Sequence, residues 1–301
     1  MLLTDICQKA SRDPLAFIEK SEAEFRDKID ALALSVSNGA SDRPVVLLSG
    51  PSGSGKTTTS HMLAARLLQM GITTHIISMD NYFRTFTEEE QRLFRRHELD
   101  LESPERVDND LLSTQIEAMM KGESVTLPHF DFTTNINSKS DVTLRRKSGE
   151  IMIFEGIHAL NPSVIGGADD YTSRIYVSVR TRIEHDDGQL LHPSKIRLAR
   201  RMLRDKRERA RSFADVLWIY SAVERGEDLY IMPYKHRADL DVDTFIPYEL
   251  CVYKNSLPRR MPEEEKQHPW LSELLDVLAQ IPAIDPHPIP QNALIREFIG
   301  R

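Results

Sequence analysis

The residues with the most chemistry in their spacing are Gly50, Gly55, Lys56 and Thr57, the fixed points of the run VVLLSGPSGSGKTTT at 45–59. An apolar stretch breaks at Gly50 and helical spacing resumes at Lys56, so strand, glycine loop and helix follow one another. Glycines let backbone N–H groups turn inward on a phosphate, and the start of a helix adds the positive end of its dipole. Gly50, Ser52, Gly53, Ser54, Gly55 and Thr58 are therefore expected to cradle a nucleotide's phosphates. Lys56 is expected to reach the β- and γ-oxygens, and the Thr57 hydroxyl to ligate Mg²⁺. A flexible turn has no need of Lys then Thr after Gly55, or of an apolar strand before Gly50. The loop alone leaves open whether the phosphate goes to water, to a small molecule or nowhere.

Two acids stand where such a loop would use them. The strand pattern TTHIIS at 73–78 ends in Met79-Asp80-Asn81-Tyr82-Phe83, and ligands of open parallel sheets bind beyond the carboxyl ends of strands. Asp80 can serve there as general base for an acceptor hydroxyl, as a Mg²⁺ ligand, or as the cap of a following turn. Glu155 follows the apolar strand IMIF at 151–154, the place of a metal-organising carboxylate. The segment KIRLARRMLRDKRERAR supplies the cations: Arg197, Arg200, Arg201 and Arg204 recur at i, i+3, i+4, i+7 and share one helical face, with no acid between Lys195 and Arg204. Guanidinium groups so aligned suit phosphate, and a mobile lid closing on a polyphosphate is the expectation. A nucleic-acid patch or a solvated face are the other readings.

The remaining chain must position these groups. It has 301 residues, 40% hydrophobic content, a net charge of −7 and two cysteines with no C-x-x-C spacing, which suits an enzyme of a reducing cytosol. The acidic balance speaks against nucleic acid or an anionic membrane as partner, and no apolar run approaches a membrane span. Helical recurrence over 14–37 predicts a leader helix that packs on the core or on a partner subunit, which leaves a homo-oligomer open. Further helices are expected over 56–70, from Asp108 or Asn109 to Gly122, over 212–224, and in two short patterns of the tail, PWLSELLDVLAQ and NALIREFI. Strands are expected over 174–179 and 240–246. The stretch LPHFDFTTN at 127–135 reads as a substrate wall or an ordinary hairpin.

With these motifs in order, residues 45–254 resemble the uridine kinase and phosphoribulokinase branch of P-loop kinases. The resemblance rests on GPSGSGKTT, SMDNYF, LESPERVD, LPHFDF, IFEGI and RLARRMLRDKRERAR. It implies an α/β P-loop fold, a parallel sheet flanked by helices with a helical lid, preceded by a leader over 1–42 and followed by a helical extension over 257–301, the kinase domain being 43–256. It implies ATP and Mg²⁺ as cofactors and a cytoplasmic kinase acting on a hydroxyl of a small molecule, most simply the 5′-hydroxyl of a ribonucleoside. Carried over by position, Lys56 and Thr57 hold ATP and metal, Asp80 is the base, Glu155 places the metal, and Glu102 grips ribose hydroxyls. Arg201, Arg204, Arg209 and Arg211 close over phosphates and substrate, with Tyr82, Phe130 and Asn135 at the acceptor. Where uridine kinases read a pyrimidine edge with tyrosine, histidine and glutamine, this chain has Phe130, Asn135 and Ile219. A sugar-phosphate or pantothenate-type acceptor, or a nucleotide-binding regulator without turnover, are the competing implications.

Overall fold

A run of four apolar residues closed by a serine has no polar face to offer water, so the strand it forms must be covered on both sides. In the computed structural model, which describes residues 1–96, 98–165, 168–209 and 211–300, β1 (Val45–Ser49) is buried at every position and lies in the middle of a parallel sheet. The sheet's order is β2 (Thr74–Ser78), β5 (Ile151–Glu155), β1, β6 (Thr172–Ser178), β9 (Leu240–Asp243), all neighbours parallel. Successive side chains of a strand point to opposite faces. Val46, Leu48, Ile151, Ile153, Ile175 and Val177 accordingly join one apolar cluster, and Val45, Leu47, Met152, Phe154 and Tyr176 the other.

The first face is covered from both ends of the chain. α1 (Leu3–Arg12) and α2 (Pro14–Gly39) precede β1, and α3 (Lys56–Gln69) follows the loop. Phe25, Ile29, Leu32 and Val36 of α2 meet Leu63 and Leu67 of α3 in the first cluster. The helix expected over 14–37 is α2, and α1 precedes it as a separate helix: Asp13 accepts from the Ala16 amide at 3.0 Å and Pro14 opens α2. The second face carries α5 (Asn109–Met120), capped by Asp108, through Leu112, Ile116 and Met119. Between β2 and α5 lies α4 (Glu88–Arg95), whose reciprocal cap pairs Thr87 with Glu90.

The stretch at 127–135 falls in an antiparallel hairpin, β3 (Ser124–Asp131) with β4 (Ile136–Arg145), turned through Asn135 at φ 58. A minor hairpin, β7 (Ile183–Glu184) with β8 (Leu190–Leu191), and the short α6 (Pro162–Ile165) flank β6. The arginine-rich segment is α7 (Pro193–Glu208), followed by α8 (Phe213–Tyr230) and, beyond β9, α9 (Glu249–Tyr253). The tail contributes α10 (Leu257–Arg260), α11 (Glu263–Lys266), α12 (Ser272–Gln280) and α13 (Arg296–Ile299). Leu274, Leu278, Leu294, Ile295 and Phe298 of that tail enter the same cluster as Leu3, Ile18 and Phe25 of the leader. One apolar body thus runs through residues that composition divides into three stretches. The ends of β1, β2 and β5 come together at one edge, next to the position where the strand order reverses around β1.

Candidate active site

The loop after β1 is shaped by close approach. A Cβ at Gly50 would lie 1.9 Å from the Val177 carbonyl oxygen and one at Gly53 2.8 Å from that of Arg197. Gly55, at φ 83, turns the chain into α3. Lys56 donates to the Pro51 carbonyl at 3.2 Å and looks into a cavity of about 300 Å³ together with Ser52, Thr57, Asp80, Glu102 and Glu155. The Ser54 hydroxyl is fully buried with no hydrogen-bond partner among the described residues, an orphan donor of the kind an oxyanion satisfies.

Asp80 lies within the turn Met79–Tyr82, one residue past its first position, so it does not stand at that turn's N-cap. It faces Glu155 and Lys56 across the cavity. Burial, then the neighbouring Asp80 charge, push the Glu155 carboxyl up to about 7, with Lys56 opposing. The Thr57 hydroxyl donates to Glu155 Oε1 at 3.4 Å. That is an all-oxygen pair fit for a hard cation. Among the described residues no cluster of three or more His, Cys, Asp or Glu converges, so this is not a closed metal cage. Mg²⁺ suits such a setting because it keeps waters and phosphate oxygens as its other ligands. Burial likewise raises Glu102, against the Arg201 charge. Its seat depends on a glycine inside α8: a Cβ at Gly226 would lie 2.3 Å from Glu102 Cβ.

The arginine face divides. Arg197 pairs with Glu227 of α8 at 2.7 Å, and Arg200, wholly buried, with Glu249 of α9 at 2.7 Å. Those two guanidinium groups are spent inside the fold, supplied with acids that the α7 sequence does not contain. Arg201, Arg204, Arg209 and Arg211 gather on one carboxylate, Asp205: Arg204 at 2.8 Å, Arg201 and Arg211 at 3.4 Å, Arg209 at 3.8 Å. These cations hold the buried Asp205 down at about 2 against its desolvation. All four line the cavity, and Arg201 donates to the Ser52 hydroxyl at 2.8 Å. Twelve of the sixteen residues of α7 are buried and the helix touches the loop at Gly53, so the expected mobile lid is seen here as a packed wall.

A model of the phosphoribulokinase / uridine kinase family matches residues 45–248 of the chain. The chain belongs to that family. A Staphylococcus aureus uridine kinase is 30% identical over 202 residues, 65% of this chain and 85% of that protein. A mouse protein described as uridine-cytidine kinase-like 1 is 31% identical over 196 residues, but the match spans only 32% of that relative's length. Among solved structures, a putative fructose transport system kinase from Silicibacter sp. superposes with a TM-score of 0.52 at 22% identity, covering 71% of this chain and 98% of that one. A possible uridine kinase from Bacillus stearothermophilus gives 0.50 at 20%, covering 73% and 100%. These last two speak for the P-loop kinase fold alone. As a member of the family the chain is an ATP-using phosphotransferase with a hydroxyl acceptor.

Within this family member, the cavity is also lined by Phe83, Phe86, Phe94, Phe130, Phe132 and Asn135. Phe83, Phe130 and Phe132 meet edge to face with centroids 5.1 to 6.2 Å apart. Two sequence assignments, Tyr82 and Ile219, are corrected. Tyr82 is fully buried in the second cluster and its hydroxyl donates to Gln115 at 2.8 Å, away from the cavity. Ile219 is a buried residue of α8 that does not line the cavity. Thr58 has its hydroxyl and amide engaged by Glu297 of α13, at 2.6 and 3.2 Å. Sequence reading missed Glu297, Asp205, Arg106, Phe86 and Phe94. Arg106 sits on the Phe86 ring, 4.3 Å from its centroid, and pairs with Glu90. The Thr87-x-x-Glu90 spacing ahead of α4 was the one legible signal for that corner.

Proposed function

We propose that the chain is a Mg²⁺-dependent kinase moving the γ-phosphoryl of ATP to the 5′-hydroxyl of a ribonucleoside, with the ribose selected more strongly than the base. The observation that carries this reading is the convergence of Asp80, Glu102 and Lys56 in one cavity walled by Arg201 and Arg204. Asp80 takes the proton of the acceptor hydroxyl, a role for a carboxylate at the end of a strand facing the loop. Lys56 and Arg204 offset the charge that spreads over the moving phosphoryl oxygens. Thr57 and Glu155 would hold Mg²⁺, which would supply charge neutralisation to the phosphates. Glu102, fixed against Gly226, accepts hydrogen bonds from vicinal hydroxyls.

The phenylalanines offer ring faces and edges but no donors, and Asn135 alone offers an amide. A base is then held by shape and stacking. Binding of a long polyanion is disfavoured, because Arg197, Arg200 and Arg201 are buried. Among the described residues no helix is long and apolar enough to cross a membrane. The test is ADP release from ATP over a panel of ribonucleosides, sugar phosphates and pantothenate. ADP release with ribonucleosides is expected. Release with only the other acceptors would move the assignment to a different branch of the same family.

A further inference from the structure

The turn of helix α13 lies beside the loop that holds the donor phosphates, and several contacts seat it there. Leu294 packs on Gly55, where a Cβ would come 2.9 Å from Leu294 Cδ1. Arg207 of α7 donates to the carbonyl of Glu297 at 2.8 Å. Arg296 donates to the carbonyls of Ile289 at 2.7 Å and Pro286 at 2.8 Å, folding the tail on itself. Leu294, Ile295 and Phe298 are buried. On this scaffold the Glu297 carboxylate is aimed at α3, where Oε2 accepts from the Thr58 hydroxyl at 2.6 Å and the Thr58 amide at 3.2 Å.

Thr58 is the third residue of α3, so its N–H is one of the first-turn amides without an acceptor in the helix. Such amides, with the dipole behind them and Lys56 beside them, are the anion-binding part of the loop. An anion of the chain itself is already there. Its charge acts on both Lys56 and Arg204. Glu297 also lines two cavities at once: the one containing Lys56 and Asp80, and a second of about 900 Å³ bordered by Thr58, His61, Met62, Arg207, Asn292 and Arg296. A polyphosphate running from Lys56 toward Thr58 meets the carboxylate on its path, and beyond it has room for a nucleoside.

We propose that Glu297 is a resident stand-in for a donor phosphate on the α3 N-terminus, and that ATP binds by displacing it, shifting the turn at 293–299 and lodging its nucleoside end in the second cavity. The inference rests on the kinase reading above. Two anions cannot share one amide and hydroxyl, so donor affinity is lowered by the fraction of molecules in which the seat is taken. A seat filled about nine times in ten weakens the apparent Kd about ten-fold.

The experiment is calorimetric titration of the full chain with MgADP, in the wild type, Glu297→Gln and Glu297→Ala, alongside hydrogen exchange of the wild type with and without MgADP. The expected result is ADP binding about ten-fold tighter in both variants, and loss of amide protection over 293–299 when ADP binds the wild type. ADP affinity equal or weaker in both variants, with 293–299 equally or better protected, would overturn the displacement and make Glu297 a structural cap or a donor ligand. No ADP binding by any of the three proteins would remove the kinase reading and this inference with it.

Discussion

Asp80 and Glu155 carry the same functional group in different surroundings. Glu155 ends a strand buried on both faces and accepts from Thr57, whereas Asp80 sits in a turn that opens on the cavity. Replacing Asp80 by Asn keeps the volume and removes proton acceptance. The expected outcome is a kcat lowered by about two orders of magnitude or more with ATP affinity retained, measured by steady-state kinetics and by ADP titration. Lost ATP affinity with normal turnover would make Asp80 a metal ligand. Gly226 carries a second residue-scale prediction, since an added methyl must move Glu102. Gly226→Ala should raise the acceptor KM about ten-fold or more, the scale of one lost charged hydrogen bond, with the KM for ATP unchanged. An unaltered acceptor KM would take Glu102 away from the acceptor. Lys56, Asp80, Glu102 and Glu155 were legible because each sits at a fixed offset from a strand end or within a short motif. Tyr82 was misplaced because adjacency to a motif does not say which way a side chain points: it turns into the core toward Gln115. Nothing in the motif shows that Thr58 is engaged by a residue 239 positions away.

At the scale of elements, α7 shows what periodicity can and cannot tell. The i, i+3, i+4, i+7 spacing marked one cationic stripe, but the acids that neutralise Arg197 and Arg200 come from α8 and α9, outside the segment. Asp205 binds the remainder of the stripe to itself, and it is fully buried. Asp205→Asn leaves four guanidinium groups without their shared counter-charge, a change expected to cost about 3–5 kcal/mol of stability at neutral pH. The pH dependence follows from a folded value of about 2 below the ordinary 3.8. Above the unfolded value the carboxylate's contribution is fully present, and it fades as pH falls from about 4 through 2. Urea unfolding of wild type and Asp205→Asn across that range should therefore show the stability gap closing toward pH 2. A gap that stays constant with pH, or no gap at pH 7, would mean that Asp205 is not the ionised hub of the arginines.

For the molecule as a whole, β1, β5 and the loop were legible because strands buried on both faces read as apolar runs, whereas β9 was legible from its alternation. The assembly around them was not. Nothing local in the leader or the tail announces that Phe25, Leu67 and Phe298 share one cluster, or that the tail brings a carboxylate to the loop. The aromatic wall was half legible: Phe130 and Asn135 do line the cavity, while Ile219 lies elsewhere and Phe83, Phe86, Phe94 and Phe132 complete the wall. A site that meets the base with rings and the ribose with a carboxylate should discriminate at the sugar, because an unpaired buried carboxylate costs more than a change of stacked ring. The central claim is tested most directly by kcat/KM for uridine, cytidine, inosine, guanosine, adenosine and their 2′-deoxy forms. The account predicts phosphorylation at the 5′-hydroxyl, with loss of the 2′-hydroxyl costing more than exchange of one base for another. Equal rates on ribo- and deoxyribonucleosides, or no transfer to any nucleoside, would contradict it.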